Sequence, residues 1–181
     1  LSLIKFSHTI FALPFAIIGF FLSYPESDFS YLTFIYVMMC MVFARSAAMA
    51  FNRYIDRDID TINPRTSEIR EIPSKKIKPS SALKFVILNS IFFVITTFLI
   101  NQLCFLLSPI ALIIILGYSY TKRFTFLCHF VLGIGLSLSP IGAYLAVTET
   151  FDILPIYFSM IVFFWVAGFD IIYSLQDEKF D

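Results

Sequence analysis

The sequence predicts an all-α, polytopic bundle of transmembrane helices, and three observations carry that reading. Of its 181 residues, 59% are hydrophobic, 18% are aromatic and only 14% are charged, with a mean hydropathy of +0.84. A soluble domain of this size cannot bury so much apolar surface. The apolar residues also fall into six runs of about 20 residues, the length a bilayer core requires. Finally, nearly all the charges lie between those runs. The formal net charge of zero says little; where the charges sit says more.

The first helix is expected from about Ser7 to Tyr24. It contains His8 and Pro14 and no small-residue cleavage site, so it reads as a membrane helix rather than a cleaved leader. Pro25 to Asp28 form a short loop. The second helix is expected from about Phe29 to Asn52, continuing as helix through Asp60. A polar segment, Thr61 to Ser81, carries Pro64, Pro73 and Pro79. The third helix is about Ala82 to Ile100, and Asn101-Gln102 turns the chain. The fourth is about Leu103 to Tyr120, kinked or broken near Pro109. Thr121-Lys122-Arg123 is a tight basic connection. The fifth is about Phe124 to Val147, where Gly133, Gly135, Pro140 and Gly142 allow close packing or a bend. An acidic loop, Thr148 to Asp152, leads to the sixth, about Phe151 to Tyr173. Residues 1–181 read as one domain without internal repeats. Cys40, Cys104 and Cys128 lie singly in apolar runs, as small hydrophobes do.

Charge fixes an orientation. The loop after the second helix carries Arg53, Arg57, Arg65, Arg70, Lys75, Lys76 and Lys78, and the loop after the fourth carries Lys122 and Arg123. The loops after the first, third and fifth carry only Glu26, Asp28, Glu149 and Asp152. The positive-inside rule puts the basic loops and both termini in the cytoplasm.

Two acidic stripes then face that side. Asn52, Asp56 and Asp60 are spaced i, i+4, i+8, so on a helix they drift only about 40° per step and share a face. Two carboxylates and an amide oxygen of this kind suit Mg²⁺, which takes one or two carboxylates plus substrate phosphates. A solvated helix end also looks like this. Asp170, Tyr173, Asp177 and Asp181 form a second stripe, within an arc of about 80° on a helix. Two stripes facing one cavity would make a metal–diphosphate site. Arg45 lies seven residues before Asn52, within about 20° of its face. A charge inside the bilayer costs roughly 2.5–3.5 kcal/mol on insertion scales, so Arg45 should face the bundle interior. It would contact a diphosphate or the carboxylate of a second substrate, or else snorkel to the interface. His8 and His129 read as structural, and Asp58 falls off the Asn52 stripe.

These residues carry a resemblance. Asn52-x-x-x-Asp56-x-x-x-Asp60, with Arg45 before it and Pro64-Arg65-Thr66 after, resembles the first signature of the UbiA superfamily of intramembrane prenyltransferases. Tyr118-Ser119-Tyr120-Thr121-Lys122-Arg123-Phe124-Thr125 looks like that family's basic loop. Asp170-x-x-Tyr173-x-x-x-Asp177-x-x-x-Asp181 looks like its second signature. The segment Ile4 to Phe15 is similar to the start of the 4-hydroxybenzoate polyprenyltransferase branch. The chain departs from the pattern at Ser74-Lys75-Lys76, where many relatives carry a glycine.

The resemblance implies Mg²⁺-dependent transfer of a polyprenyl group from its diphosphate to an aromatic acceptor in quinone biosynthesis. The acceptor would be 4-hydroxybenzoate or, as the runner-up, a dihydroxynaphthoate of menaquinone synthesis. Carried over, the metal ligands are Asn52, Asp56, Asp60, Asp177 and Asp181, with Asp170 beside the chemistry. Lys122, Arg65 and Arg70 would bind the diphosphate, and Arg45, Tyr118 and Tyr173 would complete substrate binding. The apolar, Phe-rich interior would keep water from an allylic cation and offer it aromatic faces. The enzyme would sit in a bacterial-type inner membrane with its site facing the cytoplasm. No nucleic-acid partner is expected. The family typically has nine membrane helices, which implies three more after Asp181 and little activity without them. A transporter is the rival class. Against it, the charges cluster at one face, and the third to fifth helices carry no acidic residue at mid-bilayer.

Overall fold

The computed structural model describes residues 3–4, 6–23 and 29–175, with the side chains of 6–8 and 65 left aside. Asp177, Asp181 and the side chain of Arg65 therefore lie outside the described part. Among the described residues all regular structure is helical: α1 (Phe6–Phe21), α2 (Tyr31–Ile55), α3 (Arg57–Ile62), α4 (Pro64–Ser67), α5 (Pro79–Ile100), α6 (Gln102–Thr121), α7 (Cys128–Thr148) and α8 (Ile153–Ser174). Five of these, α2 and α5 to α8, are long and apolar enough to cross a membrane, and α1 is a shorter apolar helix. The six expected membrane helices are thus present, with α1 the short one. Large apolar side chains such as Ile95, Phe98, Ile113, Ile161 and Phe164 point outward. For an integral membrane protein these are the lipid-facing surface.

The helix ends follow local chemistry. Ser30 caps α2, its hydroxyl accepting from Thr33 N. Pro79 opens α5 at the first turn, where its missing N–H costs nothing. Asn101 caps α6 by accepting from Cys104 N, and Asp152 caps α8 by accepting from Leu154 N.

Four expectations are corrected. The helix that carries Asn52 does not run unbroken to Asp60; it ends at Ile55, and α3 follows after Asp56. Guanidinium groups take the carbonyls at this junction. Arg57 Nη1 donates to Tyr54 O at 2.7 Å and Arg123 Nη2 to Ile55 O at 2.5 Å. Of the kink or break expected near Pro109, the break does not occur: α6 runs uninterrupted from Gln102 to Thr121. A proline at 109 leaves the Phe105 carbonyl without its helical donor, and Ser108 Oγ donates to that carbonyl at 2.8 Å. The fifth membrane helix, α7, starts at Cys128 rather than Phe124. Tyr120 and Thr121 accept backbone bonds from Arg123, Phe124 and Thr125, which coils the intervening residues into turns. Finally, Gly135 and Gly142 do not mediate close packing, since a Cβ on either would meet nothing.

Close packing instead uses Gly19 and Gly133. A Cβ on Gly19 would overlap the backbone of Pro140, and one on Gly133 would lie 2.8 Å from Phe163 O. Backbone approach at small residues is how membrane helices associate when lipid offers no hydrophobic drive. These contacts lock α1 onto α7 and α7 onto α8. α2 packs on α1, α5 and α6, and α6 packs on α5 and α7. The buried cores are correspondingly small-residue-rich, with Ala16, Ala143 and Ala146 around Phe20 and Val37, and Ala47 and Ala50 beside Val86.

Candidate active site

The helices enclose a cavity of about 540 Å³ rather than a filled core. On α2 its wall runs from Val37 to Asn52, fifteen helical steps or about 22 Å. Most of the wall is apolar, including Met41, Leu107, Ile115 and Leu136, and Gly135 and Gly142 leave it hollow. Polar groups gather toward the end where α2, α6 and α8 finish: Asn52, Tyr118, Asp170 and Tyr173, with Arg45 further in. Asn52 and the start of the second stripe therefore face one space, from α2 on one side and α8 on the other. Two side-chain nitrogens of the site, Arg45 Nε and Asn52 Nδ2, are buried and make no hydrogen bond among the described residues.

Beyond Asn52 the chain keeps its one-turn register. Asp56 N donates to Asn52 O at 2.9 Å and Asp60 N to Asp56 O at 2.8 Å. Both carboxylates are buried, and each has a cation. Lys122 Nζ lies 3.5 Å from Asp56 Oδ2, and Arg70 pairs with Asp60. Lys122 also lies 5.4 Å from the centre of the Tyr118 ring. Burial raises the Asp56 carboxyl above its ordinary range, Lys122 opposes that, and the neighbouring Asp60 adds to it. Asp60 Oδ2 is buried and makes no hydrogen bond among the described residues. Thr66 Oγ1 donates to Asp60 O at 2.9 Å and fixes α4 against the end of α3.

The structure thus gathers Arg45, Asn52, Tyr118, Asp170 and Tyr173 around one cavity. It sets Asp56, Asp60, Arg70 and Lys122 at its end. Asp58 is outside this set, its side chain 74% exposed and 3.7 Å from Arg57. Among the described residues no three His, Cys, Asp or Glu side chains converge as a metal cage. Two residues were not singled out from sequence as part of the site. Arg53 is buried and interacts with Asp60, Glu71 and Asp56; its position one residue past Asn52 was the available signal. His129 Nδ1 lies 2.8 Å from Asp170 Oδ2. That pairing spans 41 residues and has no signature in local spacing.

Comparisons with known proteins agree with this architecture. The chain is 33% identical over 141 residues to a 4-hydroxybenzoate octaprenyltransferase of Vesicomyosocius okutanii, covering 78% of this chain and 51% of the relative. It is 34% identical over 145 residues to the protein of the same name from Actinobacillus pleuropneumoniae, covering 78% of this chain and 48% of that one. The chain spans about half the length of the curated relatives it matches. Its fold matches the apo structure of a UbiA homologue from Aeropyrum pernix K1 with a TM-score of 0.87 and 35% identity, over 96% of this chain and 65% of that one. It also matches a UbiA homologue from Archaeoglobus fulgidus bound to GPP and Mg²⁺, with a TM-score of 0.80 and 22% identity, over 100% of this chain and 64% of that one. With the family's sequence model matching residues 12–181, the chain belongs to the UbiA prenyltransferase family.

Proposed function

We propose that this protein transfers a polyprenyl group from its diphosphate to an aromatic acceptor, 4-hydroxybenzoate in the first place. The observation that carries the reading is the cavity itself, a long apolar bore that ends in Asn52, Tyr118, Asp170 and Tyr173, with buried carboxylates and cations just beyond. An isoprenoid tail matches the bore and a diphosphate matches the charged end. The names of the similar octaprenyltransferases and the GPP and Mg²⁺ of the Archaeoglobus homologue support the same assignment.

The residues present fit Mg²⁺. Asn52, Asp56 and Asp60 offer hard oxygen donors, and Asp60 Oδ2 is buried with no hydrogen bond among the described residues. With Asp177 and Asp181 they would hold the ion, which when bound neutralises the charge growing on the departing diphosphate. Lys122 and Arg70 stand beside the same carboxylates. Arg65, by its place in the sequence motif, would add a further cation for diphosphate oxygens, with the fork geometry suited to that. Arg45 lines the cavity wall, and its Nε makes no hydrogen bond among the described residues. That is where an acceptor's carboxylate would bind. The apolar wall excludes water from the reacting centre. The charged end faces the cytoplasm of a bacterial-type inner membrane, by the same excess of Lys and Arg in its loops.

The test is incubation of membranes carrying the protein with labelled polyprenyl diphosphate, with and without Mg²⁺, and with each of two acceptors. Mg²⁺-dependent labelling of 4-hydroxybenzoate is the expected result. Labelling of a dihydroxynaphthoate instead would keep the reaction and change the acceptor. Binding of donor without any product would count against the enzyme reading.

A further inference from the structure

The reaction proposed above releases a proton as well as diphosphate, and the cavity contains one group placed to take it. Among the described residues that line the cavity, Asp170 is the only carboxylate. Asp56 and Asp60 lie beyond its end and are engaged by Lys122 and Arg70. Asp170 is held on one oxygen, with Oδ2 2.8 Å from His129 Nδ1. Its other oxygen makes no hydrogen bond among the described residues. The pair is half-buried, at 21% and 25% side-chain exposure.

The two partners come from different helices, His129 from the first turn of α7 and Asp170 from the last turn of α8. Gly133, one turn along α7 from His129, lets the two helices approach to backbone contact at Phe163. The pairing is therefore set by rigid packing. Other polar groups surround the site without replacing it. Tyr118 on α6 is within electrostatic range of Asp170, Lys122 sits over the Tyr118 ring, and Arg45 enters from α2. None of these is a base at neutral pH. A carboxylate fixed on one oxygen by an imidazole, and open to substrate on the other, is an oriented proton acceptor.

Resting on the prenyl-transfer reading, we infer that Asp170 accepts the ring proton of the aromatic acceptor, with His129 as its positioning residue. The atoms balance as follows. The allylic C–O bond breaks and its electron pair leaves on the diphosphate. A ring carbon supplies a π electron pair to form the new C–C bond. The C–H bond at that carbon then breaks, its electrons restore the aromatic ring, and the proton passes to the open oxygen of Asp170. From there it leaves to solvent at the charged end.

The experiment uses native membranes carrying the full-length protein, labelled donor, and acceptor that is either ordinary or deuterated at the reacting ring carbon. Asp170→Asn keeps the shape and an acceptor for His129 but removes the base. Its turnover is expected to fall about 100-fold or more, the usual contribution of general-base catalysis. A primary isotope effect absent from the wild type should appear, because proton loss becomes rate-limiting. More prenyl alcohol should form per diphosphate released, since the cation waits longer for capture. Donor affinity should stay the same. His129→Gln, which can still donate to the carboxylate, should show the same two signatures at smaller size, and it is read alone if Asp170→Asn does not accumulate. Ordinary turnover in these variants, or a loss with neither isotope effect nor extra alcohol, overturns the inference while leaving the prenyltransferase reading intact. A wild type that makes no prenylated product overturns that reading, and this inference with it.

Discussion

Lys122 reaches Asp56 across the end of the bundle, with Nζ 3.5 Å from Oδ2. The contact joins the α6–α7 turn to the junction between α2 and α3. Arg123, the next residue, reinforces it by donating to Ile55 O. Two segments far apart in sequence are thereby fixed around one carboxylate.

Asp56→Ala is therefore expected to abolish Mg²⁺-dependent turnover, a loss of at least 100-fold, as when a preorganised electrostatic group is removed from an active site. Asp58→Ala should stay close to wild type, because its side chain is mostly solvated and surface changes rarely exceed ±0.5 kcal/mol. Product formation against Mg²⁺ concentration for both variants decides the matter. Equal losses would sink the distinction between the two aspartates.

Arg45→Ala separates binding from folding. Its Nε is buried and makes no hydrogen bond among the described residues, so its removal relieves a desolvation cost at that atom. The melting temperature should hold or rise, while acceptor affinity falls roughly 10- to 100-fold, as for a lost charge-assisted hydrogen bond of about 1.5–3 kcal/mol. Thermal unfolding and acceptor titration on the same preparation read both. A collapsed melting temperature with normal affinity would make Arg45 structural.

Gly19→Ala should be costly, about 1–3 kcal/mol as for other overpacked contacts, because the new methyl overlaps the Pro140 backbone. Gly142→Ala should fold normally, because a Cβ there meets nothing. Instead Gly142→Leu, projecting into the bore, should shorten the longest donor accepted. Detergent thermal shift measures the first comparison, and a series of donor lengths the second.

Asn101 bonds through both ends of its side-chain amide. Its Oδ1 accepts from Cys104 N at 2.7 Å to cap α6, and its Nδ2 donates to Leu145 O at 2.9 Å near the end of α7. Asn101→Ala should cost about 1–2 kcal/mol. Asn101→Asp keeps the cap and loses only the donor, so it should be the milder change. Chemical denaturation of the two variants gives the ranking, and equal stability would show that the cap contributes nothing beyond the lost donor.

Much of this was legible in the chain before folding. The apolar runs located α2 and α5 to α8 to within a few residues, because length and hydropathy are enough for a segment that must satisfy its own backbone in lipid. The spacing of Asn52, Asp56 and Asp60 survives the bend at Asp56, since each amide still bonds one turn back. Pro109 does not break its helix because the remedy lies one residue away, in the Ser108 hydroxyl. Gly135 and Gly142 misled because a missing side chain serves a hollow wall as well as a tight contact. His129 and Arg53 were missed for a different reason. Their significance depends on which helices become neighbours, and helix packing does not show in spacing along one strand of sequence.

The pairing of Asp56 with Lys122 and of Asp60 with Arg70 has a thermodynamic consequence. Before any ligand arrives, Lys122 is paired with Asp56 and Arg70 with Asp60. A cation alone would have to compete with Lys122 and Arg70, and an anion alone with Asp56 and Asp60. When both arrive, the carboxylates turn to the metal and the ammonium and guanidinium to the diphosphate, so neither set is stranded. Affinities for the two ligands are then linked, and linkage is reciprocal: the factor by which Mg²⁺ tightens diphosphate equals the factor by which diphosphate tightens Mg²⁺. A protein built this way ignores either ion on its own and responds to the pair.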